Sequence, residues 1–120
     1  VKVGLGTDIG AGTSFSQLQT LNEAYKVQQL QGNKLSAFES LYHATLGGAK
    51  ALDLHDKLGN FNVGKEADFI VLDLNATALQ TLRQQRTQGI EDALFALMTM
   101  GDDRNIQATY VYGERVYVKK

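Results

Sequence analysis

No cysteine occurs among the 120 residues, which removes disulfides, thiolate metal ligands and thiol nucleophiles together. Any metal must therefore be held by histidine or carboxylate. Proline is also absent, although about 5% is typical, and this absence carries no functional message. No apolar run approaches the roughly 20 residues needed to span a bilayer, and the N-terminus lacks the charged-then-apolar pattern of a signal peptide. Charge of one sign is missing too: 12 basic and 13 acidic residues leave a formal net charge of -1. Without a basic excess there is no electrostatic footprint for nucleic acid or an anionic membrane. These absences fit a cytoplasmic protein with neither partner. What is present, 43% hydrophobic and 21% charged residues, describes an ordinary globular unit with a modest core.

The chain opens on Val1-Lys2-Val3-Gly4-Leu5-Gly6-Thr7-Asp8, which reads as a buried strand delivering a carboxylate to its C-terminal end. Barrel enzymes keep their chemistry at that end of a strand, whereas an Asp closing a strand also serves as a turn or cap residue. Ser14-Phe15-Ser16 predicts the cap of a helix reaching about Gln31, with Phe15, Leu18, Leu21 and Tyr25 on one side. Ser36 and Glu39 form a capping box for a second helix, on which Phe38, Leu41, Tyr42, Thr45, Leu46, Ala49 and Leu52 follow helical spacing to about Leu54. Gly47-Gly48 inside it points to close approach of a neighbouring backbone.

Beyond Leu54 the period changes. Leu58 to Lys65 reads as a short strand and turn, and Ala67 to Leu74 as a strong strand. Asn75 to Arg86 is polar and predicts a loop with a short helix anchored by Leu79 and Leu82. Ile90, Ala93, Leu94, Leu97 and Met98 predict an amphipathic helix stopped by Gly101. Ile106 to Tyr112 and Arg115 to Val118 flank Gly113-Glu114, a pair suited to a type II′ hairpin.

Other residues invite chemistry and are better read as structure. His43 lies outside its helix's apolar stripe and His55 in a polar loop, so both read as surface or structurally satisfied histidines. Gly10-Ala11-Gly12-Thr13 precedes a helix but lacks the Lys-Ser/Thr of a P-loop and the spacing of a dinucleotide fingerprint. Asp102-Asp103-Arg104 reads as an ion-paired corner at a helix end. Asn75-Ala76-Thr77 matches a glycosylation triplet, which has meaning only in a secreted protein.

Three segments carry a family resemblance: Gly4 to Asp8 with Gly10 to Ser16; Ala44 to Leu52 with Gly59-Asn60-Phe61-x-Val63-Gly64-Lys65-x-x-Asp68; and Gly101-Asp102-Asp103-Arg104-Asn105-Ile106. On these the chain resembles the C-terminal portion of the guanine deaminases, within the zinc-dependent amidohydrolase superfamily. The third segment singles out that family. The resemblance implies an α/β fold: the last part of an eight-stranded β/α barrel, with strand eight at Val1 to Thr7, plus the C-terminal part of a small β domain. Residues 1–54 would be the last barrel unit with its following helices. Residues 55–120 would belong to the β domain, with an inserted helix near 90–100.

In that family the strand-eight Asp is a zinc ligand that also takes a proton from the metal-bound water and passes it towards the leaving ammonia. Asp8 is the matching residue, both as metal ligand and as catalytic group, and the remaining ligands are histidines that this chain does not contain. A catalytic zinc needs about three protein ligands and an open position. The implied activity, guanine to xanthine and ammonia, therefore belongs to the whole enzyme, and the 120 residues alone are expected to be inactive. The implied partners are guanine, the N-terminal part of the same enzyme and further copies in a homo-oligomer. An amidohydrolase acting on another heterocycle would share Asp8 without the Gly101 to Ile106 segment. A non-catalytic structural or interaction module would have to cover its apolar faces internally or by association. A barrel strand without neighbours leaves both edges open, so Val1 to Thr7 alone is expected to be disordered, refolded or paired with another copy.

Overall fold

Ser36 and Glu39 act as their spacing predicts: the Ser36 hydroxyl accepts from the Glu39 N–H at 3.2 Å, and the Glu39 carboxylate accepts from the Ser36 N–H at 2.9 Å. This box starts α2 (Ala37–Ala44), which follows α1 (Gln17–Leu30). The computed structural model describes all residues 1–120. The helix expected to run on to Leu54 breaks at Thr45, whose φ of -126° and ψ of -102° are far from helical. It resumes as α3 (Leu46–Ala51). Thr45 turns its hydroxyl onto the Leu41 carbonyl at 2.7 Å, the back-bonding by which threonine bends helices.

The second half contributes β1 (Phe69–Leu72), α4 (Ala78–Gln84), α5 (Ile90–Met100), a short 3-10 turn at Asp103–Asn105, β2 (Ile106–Val111) and β3 (Glu114–Val118). The strands form one antiparallel sheet in the order β1-β2-β3, with Phe69 opposite Tyr110 and Val111 opposite Glu114. Phe69 and Tyr110 stack with ring centroids 4.4 Å apart, a favoured cross-strand aromatic pair.

The core lies between α1 and α5, where Leu18, Leu21, Leu97 and Met98 are buried together. Tyr25 meets Phe95 edge-on at 5.3 Å, and the Asn22 amide donates to the Thr99 carbonyl at 2.9 Å. Residues on either side of position 54 thus share one core.

Several expectations change. Phe15 is exposed rather than part of the buried face of α1. Leu58 to Lys65 forms turns and no strand, and the strand expected over Ala67 to Leu74 is limited to Phe69–Leu72. Leu79 and Leu82 face solvent, while Gln80 is the buried residue of α4. The hairpin turn sits one residue earlier than expected, on Tyr112-Gly113, with φ of 54° and 80°. Positive φ at both central residues is the type I′ geometry, not type II′. Two groups outside the hairpin hold it: the Asp68 carboxylate accepts from the Tyr112 N–H at 2.7 Å, and the Ala67 carbonyl accepts from Gly113 at 3.0 Å.

Val1 to Thr7 has no regular secondary structure, and none of the three strands of the sheet pairs with it. Helices take up its backbone instead. The Leu5 N–H donates to the His43 carbonyl at 3.1 Å, and the Gln17 amide donates to the Leu5 carbonyl at 3.1 Å.

Candidate functional site around Asp8

Asp8 stands where the segment pinned by the helices ends. Its approach is fixed by backbone packing: a Cβ on Gly4 would lie 2.8 Å from the Gly48 Cα, closer than real Cβ atoms come. This is the close approach expected from Gly47-Gly48, and the neighbouring backbone is the segment that leads to Asp8. Gly47 answers a different neighbour, since a Cβ there would lie 2.8 Å from the Tyr42 carbonyl and 2.9 Å from its ring. Lys2 adds an exposed ion pair to Asp53.

His43 takes part in the same anchoring. Its Nδ1 lies 3.3 Å from the Val3 carbonyl, and its ring meets Tyr42 edge-on at 5.5 Å. It is a structural histidine that holds the chain ahead of Asp8 from two sides, through ring and backbone. The sequence signal for this role was its place on the capped helix, not its chemistry. His55 remains exposed, in a loop closed by Lys65, whose ammonium donates to the His55 carbonyl.

At Asp8 the backbone turns sharply. Its φ is +45°, the left-handed region that costs an L-residue roughly 1–2 kcal/mol. The turn is held by the Asp8 carbonyl, which accepts from Ala11 at 3.0 Å and from Gly12 at 2.6 Å. Those two N–H groups are the ones a phosphate cradle would need. The glycine-rich stretch therefore serves the chain itself.

The carboxylate of Asp8 is exposed and takes no hydrogen bond from the rest of the chain, so its oxygens are free to bind. A single oxygen donor of that kind suits one position on zinc. No group of three or more His, Asp and Glu side chains is close enough together to hold a metal ion. Asp8 can thus be one ligand, with the others supplied from outside these residues.

The Asp102-Asp103-Arg104 corner is structural, as its composition suggests. Arg104 grips Asp102 with Nε at 3.0 Å from Oδ1 and Nη2 at 2.7 Å from Oδ2. That guanidinium holds the Asp102 carboxyl below its ordinary value. The residue that sequence reasoning missed is Asn105, fully buried. Its Nδ2 donates to the Asp73 carbonyl at 2.6 Å and its Oδ1 accepts from Asp102 N–H at 3.0 Å. Thr77, in the glycosylation-like triplet, caps α4 by accepting from Gln80 N–H at 3.2 Å.

The larger hollows lie elsewhere. One is lined by Tyr25, Lys34, Glu39, Glu91, Asp92 and Phe95 between α1, α2 and α5, and does not include Asp8. No helix is long and apolar enough to cross a membrane.

Comparison with known proteins places the chain in a family. Residues 1–116 match the sequence profile of the Amidohydrolase family. The chain is 63% identical to guanine deaminase of Escherichia coli K12 over 117 residues, which is 98% of this chain and 27% of that protein. It superposes on the solved structure of E. coli guanine deaminase with a TM-score of 0.97 and 62% identity, covering 100% of this chain and 28% of that one. The guanine deaminase from Bradyrhizobium japonicum gives a TM-score of 0.92 at 37% identity, covering 100% of this chain and 32% of that structure. The 120 residues thus span under a third of each of these relatives. With a family match that runs over residues 1–116, the chain belongs to the amidohydrolase family.

Proposed function

We propose that this chain is the C-terminal part of a guanine deaminase, in which Asp8 is both a zinc ligand and the proton carrier. The observation that carries the reading is the 63% identity to the E. coli enzyme across 98% of the chain. Within it, residues 1–54 form the last barrel unit, with Val1 to Thr7 as strand eight once neighbouring strands lie beside it. Residues 55–120 form part of the small β domain. A cytoplasmic location and assembly as a homo-oligomer belong to the same proposal.

Zinc bound at this site supplies a Lewis acid and lowers the pKa of water towards ~7. Asp8 is suited to the rest because its carboxylate has no competing partner in the chain. One Oδ accepts a proton as water adds to the ring carbon bearing the exocyclic amine of guanine, whose ring C=N π bond opens onto the ring nitrogen, where the second proton of the water ends. The same oxygen then gives that proton to the amine nitrogen as the carbon–nitrogen bond breaks. Water is consumed, and xanthine and ammonia leave.

The test follows guanine to xanthine by ultraviolet absorbance in the zinc-loaded, full-length protein that contains this segment. Conversion is expected, with a loss of about 10²–10⁴-fold in Asp8→Asn. A folded, zinc-loaded protein that leaves guanine untouched and deaminates another heterocycle would assign it to a different member of the family. Turnover by the 120 residues alone would overturn this account of the metal site.

A further inference from the structure

The turn that carries Asp8 closes around one glycine. A Cβ placed on Gly12 would stand 1.8 Å from the Thr7 carbonyl oxygen and 3.0 Å from that of Asp8. Both neighbours are backbone atoms, so no side-chain adjustment relieves the overlap. Any other residue at position 12 must open the turn. The same turn holds Asp8 at φ +45°, with its carbonyl accepting from Ala11 and Gly12. Opening the turn releases that backbone and re-aims the carboxylate.

We propose that Gly12 is a positioning residue for Asp8: by closing the Thr7 to Gly12 turn it fixes the direction in which the carboxylate meets the metal and the reacting water. The inference rests on Asp8 being a zinc ligand. Its scale follows from what misplacement does. Metal–ligand distances tolerate only about 0.2 Å, and a shift of about 1 Å at a reacting group lowers rate on the order of 10²-fold. Groups that merely orient a ligand change metal affinity by about 10–100-fold when altered.

The experiment uses the full-length protein as wild type, Asp8→Asn, Gly12→Ala and Gly10→Ala. Two readouts are taken: zinc affinity by competition with a chelator, and kcat and KM for guanine. The visible spectrum of the cobalt(II)-substituted proteins is recorded beside them. Gly12→Ala is expected to bind zinc about 10–100-fold more weakly and to lose about 100-fold in kcat with KM little changed. Its cobalt spectrum should differ from wild type.

Wild-type affinity, spectrum and kcat in Gly12→Ala, beside a defective Asp8→Asn, would overturn the positioning role and leave Asp8 as ligand. Wild-type affinity and rate in Asp8→Asn would instead remove the reading on which the inference rests. Should Gly12→Ala fail to fold, Gly10→Ala decides. Gly10 has φ +119° and a Cβ there meets nothing within 4 Å, so the substitution strains the turn without a clash. Weaker zinc binding and lower kcat in Gly10→Ala support the proposal, and wild-type values overturn it.

Discussion

Gln80 and Asn105 join their side-chain amides in a reciprocal pair: Gln80 Nε2 donates to Asn105 Oδ1 at 3.1 Å, and Asn105 Nδ2 donates to Gln80 Oε1 at 3.0 Å. Both are buried. Gln80 also donates to the Met100 carbonyl at 2.8 Å, and Asn105 reaches the Asp73 carbonyl and the Asp102 N–H. Two side chains thereby fasten the end of α5, the start of β2, α4 and the segment after β1.

Asn105→Ala removes both halves of the pair and leaves Gln80 Oε1, the Asp73 carbonyl and the Asp102 N–H without their partner, while Gln80 Nε2 keeps the Met100 carbonyl. Unsatisfied buried polar groups cost about 1–3 kcal/mol each, and partial rehydration limits the sum. A loss of about 2–4 kcal/mol in urea unfolding is expected. A loss below about 0.5 kcal/mol, the range of an ordinary surface substitution, would show that the network contributes little.

Gly4→Ala tests the backbone contact ahead of Asp8. Its Cβ would enter the space of the Gly48 Cα, and overpacking of this kind costs about 1–3 kcal/mol. Because the segment can lift away from the helices, the sharper readout is local. The Leu5 amide, now bonded to the His43 carbonyl, should exchange with solvent faster than in the parent, while the amides of α5 keep their protection.

The hairpin turn offers a gain. Tyr112 is exposed and has φ +54°, so Tyr112→Asn produces the Asn-Gly pair that type I′ turns favour. A stabilisation of up to about 1 kcal/mol is expected, from relief of part of the left-handed strain. Asp68→Ala should act in the opposite direction, since it removes the acceptor for the Tyr112 N–H. Equal melting temperatures for Tyr112→Asn and its parent would remove this account of the turn.

Acid should destabilise the protein through identifiable carboxylates. Asp102 is held low by its hydrogen bonds from Arg104, Asp92 by those from Arg83, and Glu39 by the Ser36 N–H. Each titrates lower folded than unfolded, so the unfolded chain binds more protons in that window. Their contribution is complete above the ordinary values of 3.8 for Asp and 4.5 for Glu, and is lost as pH falls through the lowered ones. Urea midpoints should be level down to about pH 5 and then decline, less steeply in Asp102→Asn. A midpoint that stays level to pH 2 would contradict this linkage.

Elements with local signals were legible in the sequence. The Ser36 box, the apolar stripe of α5 from Ala93 onward and its stop at Gly101 are written within a few residues and are found, whereas Ile90 at the start of that stripe is exposed. Features decided by distant neighbours were not. The burial of Gln80 depends on its bonds to Met100 and Asn105, 20 and 25 positions away, and period alone points to Leu79 and Leu82 instead. The hairpin moved by one residue because Asp68 and Ala67, outside it, hold Tyr112-Gly113. Asp8 stood out in the sequence as the carboxylate that ends the first segment, although that segment is no strand in the structure. The left-handed backbone at Asp8 was not read from the sequence, because Gly10 and Gly12 mark a tight turn without saying which carbonyl closes it.

The pairing of α1 with α5 closes a long loop: Asn22 and Thr99, which bond across it, are 77 positions apart. Such a closure grows only with the logarithm of the intervening length, so doubling the loop would add about 0.6 kcal/mol. The turns from Asp53 to Glu66 lie within that span and are largely exposed. Inserted residues there would leave the α1–α5 contact nearly unchanged in energy, which makes this stretch the natural place for the chain to vary in length while Asp8 keeps its support.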